Sequence, residues 1–217
     1  MTSALIIDDH PIVLQGCRRA LLDAGVDTVI DARDVVSGYR LYRRSRPDVV
    51  IVDLALQGNG LAGLPLIQRI RAHDPRSRIL VFSMHSDPII IARALGAGAS
   101  GYVLKDTSPR ELVEAFEKVR SGAHYLSGKL AMQVALVGTG ARRDPLSDLT
   151  PRELQMLALL AEGKSYGRIS EELAVSYKTV VNTCSQLKDK LSARNLPELI
   201  RAAVQYMAGA PAGRSPN

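Results

Sequence analysis

Three short segments of this chain, ALII at 4–7, VVIV at 49–52 and ILVF at 79–82, are apolar at every position rather than at every second one. A strand with one face in water alternates. A strand apolar throughout is covered on both faces, as in a parallel sheet held between two helical layers. Weaker strand signals at 28–32 and 101–104 complete the series, and the third strand is expected to begin at Asp48. Segments with helical spacing lie near 11–24, 35–45, 63–72, 88–96 and 108–121. Single helices between successive strands imply right-handed crossovers, so residues 1–122 are expected to form an α/β, doubly wound (βα)5 parallel-sheet domain.

The 217 residues leave room for a second, smaller unit. Ser121-Gly122 closes the last helix of the first domain, and 123–146 reads as a linker with a short apolar helix at 128–137 and a Gly-, Pro- and charge-rich hinge at 138–145. No strand signal follows. Thr150-Pro151-Arg152-Glu153 is a capping box with proline at the first helical position. Ser165, Ser176 and Pro197 open three more helices, reaching about Leu173, Leu191 and Met207. Residues 147–208 are therefore expected to be all-α, with a core of Leu154, Leu157, Leu160, Ile169, Leu173, Val180, Leu187, Leu191 and Leu199. The tail at 209–217 is expected to be disordered.

Composition narrows the functional classes. No stretch reaches the ~18 apolar residues of a membrane span. The first residues carry no basic segment before Asp8-Asp9, so neither a secretory leader nor a membrane partner is expected, and the chain is expected to be cytoplasmic. Cys17 and Cys184 offer neither a disulfide framework nor metal spacing. The net charge of +6 permits an anionic partner, but the excess is spread evenly along the chain and identifies none.

In a doubly wound sheet, ligands gather beyond the C-terminal strand ends. Asp8, Asp9, Asp53, Ser83 and Lys105 fall there. Converging carboxylates repel and need a cation or shared protons, and an all-oxygen donor set suits Mg²⁺. With a divalent ion and a lysine alongside, one carboxylate can attack a phosphoryl group, while a hydroxyl and the ammonium hold the new phosphoryl oxygens. A lone Asp at a strand end is usually a helix cap; five polar groups at the ends of four strands are not explained that way.

The runs Ile6-Ile7-Asp8-Asp9-His10, Val52-Asp53-Leu54, Val81-Phe82-Ser83 and Gly101-Tyr102-Val103-Leu104-Lys105 resemble the receiver domain of bacterial two-component response regulators. The resemblance implies Asp53 as phosphoacceptor and Asp9 as direct Mg²⁺ ligand, with Asp8 acting largely through water and the backbone carbonyl of Ala55 completing the metal site. It further implies Ser83 as switch hydroxyl, Lys105 as phosphate partner and Tyr102 as an aromatic that changes rotamer on activation. The residue-level alternative for Tyr102 is a core-edge aromatic with its hydroxyl in solvent. The chain departs from the family pattern at Gln57, where a proline is usual, in a 54–62 loop about two residues longer, and at Met84, where a smaller residue is common.

The segments at 165–173 and 176–191, joined by Ala174-Val175, have helix-turn-helix length, and the second such helix enters the major groove. On the face opposite Val180 and Leu187 lie Lys178, Val181, Asn182, Ser185, Gln186 and Lys188, side chains that can read bases or pair with phosphates. Leu149-Thr150-Pro151-Arg152-Glu153-Leu154, Leu160-Ala161-Glu162-Gly163-Lys164-Ser165, Ile169-Ser170-Glu171-Glu172-Leu173 and Ser176-Tyr177-Lys178-Thr179-Val180 resemble the LuxR-type helix-turn-helix, which makes the whole chain similar to a NarL/FixJ-type response regulator. Matching positions imply Val181, Asn182 and Ser185 at base edges, with Lys178, Thr179 and Lys188 near phosphates. A basic residue at 181, a His at 183 and an Ala at 170 are usual; Val181, Thr183 and Ser170 stand here. The implied function is a regulator in which a sensor histidine kinase phosphorylates Asp53 and so controls homodimerisation and binding to an inverted repeat in double-stranded DNA. The alternative is an adaptor that signals by protein contact and binds DNA weakly or not at all. An enzyme turning over a separate phosphorylated substrate is disfavoured, because Leu54-Ala55 supply no second acid two residues past Asp53.

Overall fold

The computed structural model describes residues 1–56, 60–138 and 145–207. The apolar runs become strands β1 (Ser3–Ile7), β2 (Thr28–Ala32), β3 (Val49–Val52), β4 (Ile79–Ser83) and β5 (Gly101–Leu104). Between and after them run α1 (Pro11–Asp23), α2 (Val35–Ser45), α3 (Gly63–His73), α4 (Pro88–Gly96) and α5 (Pro109–Arg120). All pairings are parallel, and the sheet order is β2-β1-β3-β4-β5 followed by a short edge strand, β6 (Tyr125–Leu126). The sequence reading expects five strands. The sixth is two residues long, too short to show a period, and it forms because Gly101 lets the Tyr125 backbone come close; a Cβ there would sit 3.0 Å from the Tyr125 carbonyl.

The continuous apolar character of β1 has the expected cause. Ala4 and Ile6 pack with Leu14, Leu21 and Phe116 of α1 and α5, while Leu5 and Ile7 belong to the opposite cluster with α3 and α4. Local chemistry fixes the helix starts: Asp34 and Asp87 accept hydrogen bonds from the first backbone N–H groups of α2 and α4, and Pro88 and Pro109 begin α4 and α5.

Helix α6 (Gly128–Gly138) follows the sheet, and then a 3₁₀ turn (Pro145–Asp148) leads into α7 (Pro151–Ala161), α8 (Tyr166–Glu172), α9 (Tyr177–Lys190) and α10 (Leu196–Met207). Most of the hinge expected at 138–145, and the tail expected at 209–217, lie outside the described residues, as does Gln57. The capping box at Thr150 forms, with the Glu153 carboxylate accepting from Thr150 N at 2.7 Å. The expected core leucines, Ile169 and Val180 are buried; Leu191, the last residue of its segment, is half-buried.

The two units share one apolar cluster. The Arg93 guanidinium of α4 donates to the Leu146 carbonyl at 3.0 Å and to that of Leu149. Gly60, at φ +55°, lies against α7, where a Cβ would stand 2.8 Å from the Gln155 carbonyl oxygen. Residue 60 of the β3–α3 connection thus touches the helical unit.

Candidate functional site

The parallel ladder runs past the strand ends and fixes the polar residues there. Asp8 N donates to Ala32 O (3.0 Å), Asp53 N to Ile7 O (2.9 Å) and Lys105 N to Ser83 O (2.9 Å). These backbone bonds bring side chains from β1, β3, β4 and β5 into one pocket. Gly63 opens α3 directly against β3, where a Cβ would collide with the Asp53 carbonyl.

Lys105 Nζ lies 2.7 Å from Asp8 Oδ2 and 2.7 Å from Asp53 Oδ2, with all three side chains at most 6% exposed. One ammonium serving two buried carboxylates leaves the cluster short of positive charge. Burial pushes the Asp53 carboxyl above its ordinary range, against the opposing pull of Lys105. Burial works to lower the Lys105 ammonium, but the two carboxylates outweigh it and hold it above its ordinary value. Asp53 Oδ1 is buried without a hydrogen-bond partner.

Asp9 is partly exposed at the mouth of the pocket, and Ala55 stands two residues beyond Asp53 in the loop. His10, which sequence reasoning gave no role, sits with Nδ1 2.9 Å from Asp9 Oδ1 and 3.2 Å from Asp8 Oδ1. Its signal was its place next to the paired aspartates. Asp8, Asp9, His10 and Asp53 each offer a ligand atom, all within 4.8 Å of one another. The acidic pocket therefore has the donor set of a hard-cation site, and the orphaned Asp53 oxygen has lone pairs left for a metal or a phosphoryl group.

The Ser83 hydroxyl is fully buried and close enough to act on both Asp53 and Tyr102, yet its Oγ meets ordinary hydrogen-bond geometry with neither. Tyr102 is wholly buried and its hydroxyl donates to the His85 carbonyl at 2.7 Å, so the reading of a solvent-facing phenol is overturned: the β4–α4 loop covers it. His85 in turn bonds through Nδ1 to the carbonyl of Met207, the last residue of α10, at 3.3 Å. Sequence reasoning missed this link, since it joins residues 122 positions apart. Met84 is exposed.

On α9, Val180, Cys184 and Leu187 face the core while Lys178, Thr179, Val181, Asn182 and Ser185 are exposed and Lys188 is half-buried. The Thr179 hydroxyl pairs with Ser176 Oγ at 2.8 Å within the helix cap, and Thr183 bonds back to the Thr179 carbonyl at 2.9 Å. Lys190 is held by Glu153 at 2.8 Å. On α10, Leu199, Ala203 and Met207 are buried, leaving Val204 exposed and Ile200 half-exposed.

The sequence matches the response regulator receiver domain over residues 4–117 and the luxR family of bacterial regulatory proteins over 147–203. The chain is a response regulator of that two-part family. It is 40% identical to the methanol utilization control regulatory protein MoxX of Paracoccus denitrificans, over 94% of this chain and 92% of that one. It is 31% identical to the response regulator UvrY of Escherichia coli K12, over 95% of each. Among solved structures, RcsB of Salmonella typhimurium superimposes with a TM-score of 0.76 at 28% identity, covering 95% of this chain and 98% of that one. RcsB of Salmonella enterica serovar Typhimurium bound to promoter rprA in the presence of phosphomimetic BeF3⁻ gives 0.72 at 29% identity, covering 94% and 98%. Within this response regulator the receiver supplies the carboxylate pocket and the LuxR-type domain supplies α9. Among the described residues no helix is long and apolar enough to cross a membrane.

Proposed function

We propose that this response regulator accepts a phosphoryl group on Asp53 from a sensor histidine kinase in the cytoplasm. Phosphorylation then controls its pairing into a homodimer and the binding of α9 to an inverted repeat in double-stranded DNA, and so regulates transcription. The observation that carries the reading is the Asp53 carboxylate itself, anchored through Oδ2 to Lys105 and unpartnered at Oδ1.

The carboxylates of Asp8, Asp9 and Asp53 and the backbone carbonyl of Ala55 would hold Mg²⁺, which would supply positive charge for the phosphoryl oxygens. An Asp53 oxygen attacks phosphorus of the kinase phosphohistidine; the O–P bond forms as the P–N bond breaks, and the departing imidazole keeps the electron pair and takes a proton from water. Lys105 exchanges part of its pairing with Asp53 for a phosphoryl oxygen, and Ser83 Oγ, with no bond to lose, donates to another. Gathering Ser83 toward the phosphoryl group pulls on the end of β4 and thus on the loop that His85 and Tyr102 hold. The route runs from Tyr102 to the His85 carbonyl and from the His85 ring to Met207, so movement of this loop loosens α10 from the receiver. Freed α10 presents Ile200 and Val204 to a second copy, and α9 offers Val181, Asn182 and Ser185 to bases with Lys178, Thr179 and Lys188 toward phosphates.

The test is mass spectrometry after incubation with acetyl phosphate and Mg²⁺. The native chain gains one phosphoryl group and Asp53→Asn gains none; an unchanged adduct in the variant refutes the assignment. Genome-wide DNA capture with and without a phosphoryl mimic tests the output, and recovery of no specific site in either state favours an adaptor.

A further inference from the structure

The end of the sheet opposite Asp53 carries a second charged concavity, of the other sign. The C-terminal turns of α2 and α3 and the residues leading into β3 and β4 enclose a cleft of about 510 Å³. Arg43, Arg46, Arg76 and Arg78 border it together with His73. Two acids share the rim, Asp48 held by backbone and hydroxyl donors of Ser3 and Asp74 by a backbone N–H. Asp48 accepts from Ser3 N at 2.7 Å and from the Ser3 hydroxyl at 2.9 Å, and Asp74 accepts from Arg76 N at 2.9 Å. Burial opposes ionisation of Asp48, but the Ser3 hydrogen bonds and the nearby charge of Arg78 hold its carboxyl below the usual range. Among the described residues no carboxylate lies within ion-pair distance of the four guanidinium groups.

The cleft has a buried floor and a largely exposed basic rim. Tyr42 and Ser77 form its buried floor, their hydroxyls 2.6 Å apart. Arg43 Nη1 donates to His73 Nδ1 at 3.4 Å, and the His73 ring stands edge-on to Tyr42 at 89°. Arg46, the C-cap of α2, has φ +45°, a left-handed conformation that suits glycine better than a long side chain.

We propose that this cleft binds a small anion carrying at least two linked phosphoryl groups. Guanidinium forks match phosphoryl oxygens bidentately, and guanidinium groups set on two elements, Arg43 and Arg46 at the end of α2 and Arg76 and Arg78 before β4, can each take a different phosphoryl group of one anion. The volume lies within the ~300–1,000 Å³ range of small-ligand sites, whereas a duplex backbone spreads its charge along a rod and calls for an extended stripe. Inorganic pyrophosphate and nucleoside diphosphates are two common carriers of linked phosphoryl groups, and these two sources are separable by experiment.

The experiment is calorimetric titration of the full chain with pyrophosphate, ADP and orthophosphate in metal-free buffer, which keeps phosphates from bridging to the carboxylate pocket. Pyrophosphate is expected to bind and orthophosphate to bind at least about tenfold more weakly. ADP binding as tightly as pyrophosphate, or more tightly, identifies a nucleotide ligand; pyrophosphate binding alone identifies the inorganic one. Arg46→Gly, which the backbone tolerates, and Arg78→Gln should each weaken binding about tenfold, the loss of one charge-assisted pair. Asp53→Asn should leave it unchanged. Failure of both diphosphates to saturate below about 1 mM at ~50 mM salt, or native affinity in both arginine variants, overturns the proposal.

Discussion

Replacing Gly60 by alanine isolates the contact between the end of the β3–α3 connection and the DNA-binding domain. The substitution has two separable costs. At φ +55° an L residue is strained by about 1–2 kcal/mol, and this strain is present whether or not the domains touch, so it lowers overall stability only. The new Cβ, however, stands 2.8 Å from the Gln155 carbonyl oxygen, 3.3 Å from Leu159 Cγ and 3.4 Å from Ala158 Cβ, all on α7. A helix backbone oxygen cannot swing aside as a flexible side chain does, so loop or helix must retreat. Overpacking of this kind costs about 1–3 kcal/mol and is felt only in the docked arrangement. The ratio of docked to undocked molecules therefore falls about 5- to 150-fold. If docking restrains α10, unphosphorylated Gly60→Ala should bind a captured DNA site at least about fivefold more tightly than the native chain, and, since the Gly60 contact does not run through the β4–α4 loop, a smaller gain should persist when both are phosphorylated. Gel-shift titration gives the affinities and sedimentation the assembly. Native DNA affinity and native sedimentation in a variant whose unfolding midpoint has dropped would show strain without release, and the loop would not be a restraint.

Three further outcomes follow from particular contacts. Asp53→Asn should raise the thermal midpoint at pH 7.5, by about 2–4 °C for each ~1 kcal/mol gained at this chain length. A carboxyl whose pKa is raised by folding destabilises the native state increasingly as pH climbs from the ordinary value of about 3.9 through the folded one, so the gain should vanish near pH 4; thermal scans at both pH values check it. His85→Ala deletes the bond to the Met207 carbonyl, worth about 0.5–1.5 kcal/mol, and should raise the dimer fraction of the unphosphorylated chain, read by sedimentation. Asn182→Ala should cost roughly 1–3 kcal/mol at one base pair per half-site, whereas Lys188→Ala should weaken all sequences alike and flatten the salt slope by about one unit per monomer, both read by footprinting and salt titration.

The carboxylate pocket was legible in the sequence because its members are fixed by local rules: an apolar run ends, and the next residue stands at the strand's C-terminal edge. Asp8, Asp53, Ser83 and Lys105 all follow that rule, and one backbone ladder brings them together. The α9 face was legible for a similar reason, since Val180, Cys184 and Leu187 at helical spacing point inward and oblige their neighbours to point out. What sequence pattern did not reveal are contacts with no period. His85 meets Met207, Arg93 reaches Leu146 and Gly60 faces Gln155 across the domain boundary. No spacing rule relates such pairs. Tyr102 lies between the two cases: its place on a buried strand was visible, but its hydroxyl is covered by a loop whose path depends on α4.

The sizes of these contacts bear on how the switch works. A neutral hydrogen bond such as His85 to Met207 contributes about 0.5–1.5 kcal/mol, and the charged donation from Arg93 about 1.5–3 kcal/mol. Interfaces between domains of one chain are commonly small enough for relative motion to be the default. Coupling between two sites is typically worth about 1–3 kcal/mol, the same order as any one of these bonds and less than their sum. On the proposed route, phosphorylation of Asp53 acts on the β4–α4 loop and so on the His85 bond, whereas Arg93 lies on α4 and holds the carbonyls of Leu146 and Leu149 independently. One modification should therefore shift the docked population in part rather than empty it, and dimerisation on DNA would complete the release by mass action. On that view Arg93→Ala, which removes the stronger tether without touching the carboxylate pocket, should raise DNA affinity in both phosphorylation states, while His85→Ala raises it only in the unphosphorylated one. Equal effects of the two variants in both states would mean that the two contacts form a single cooperative latch.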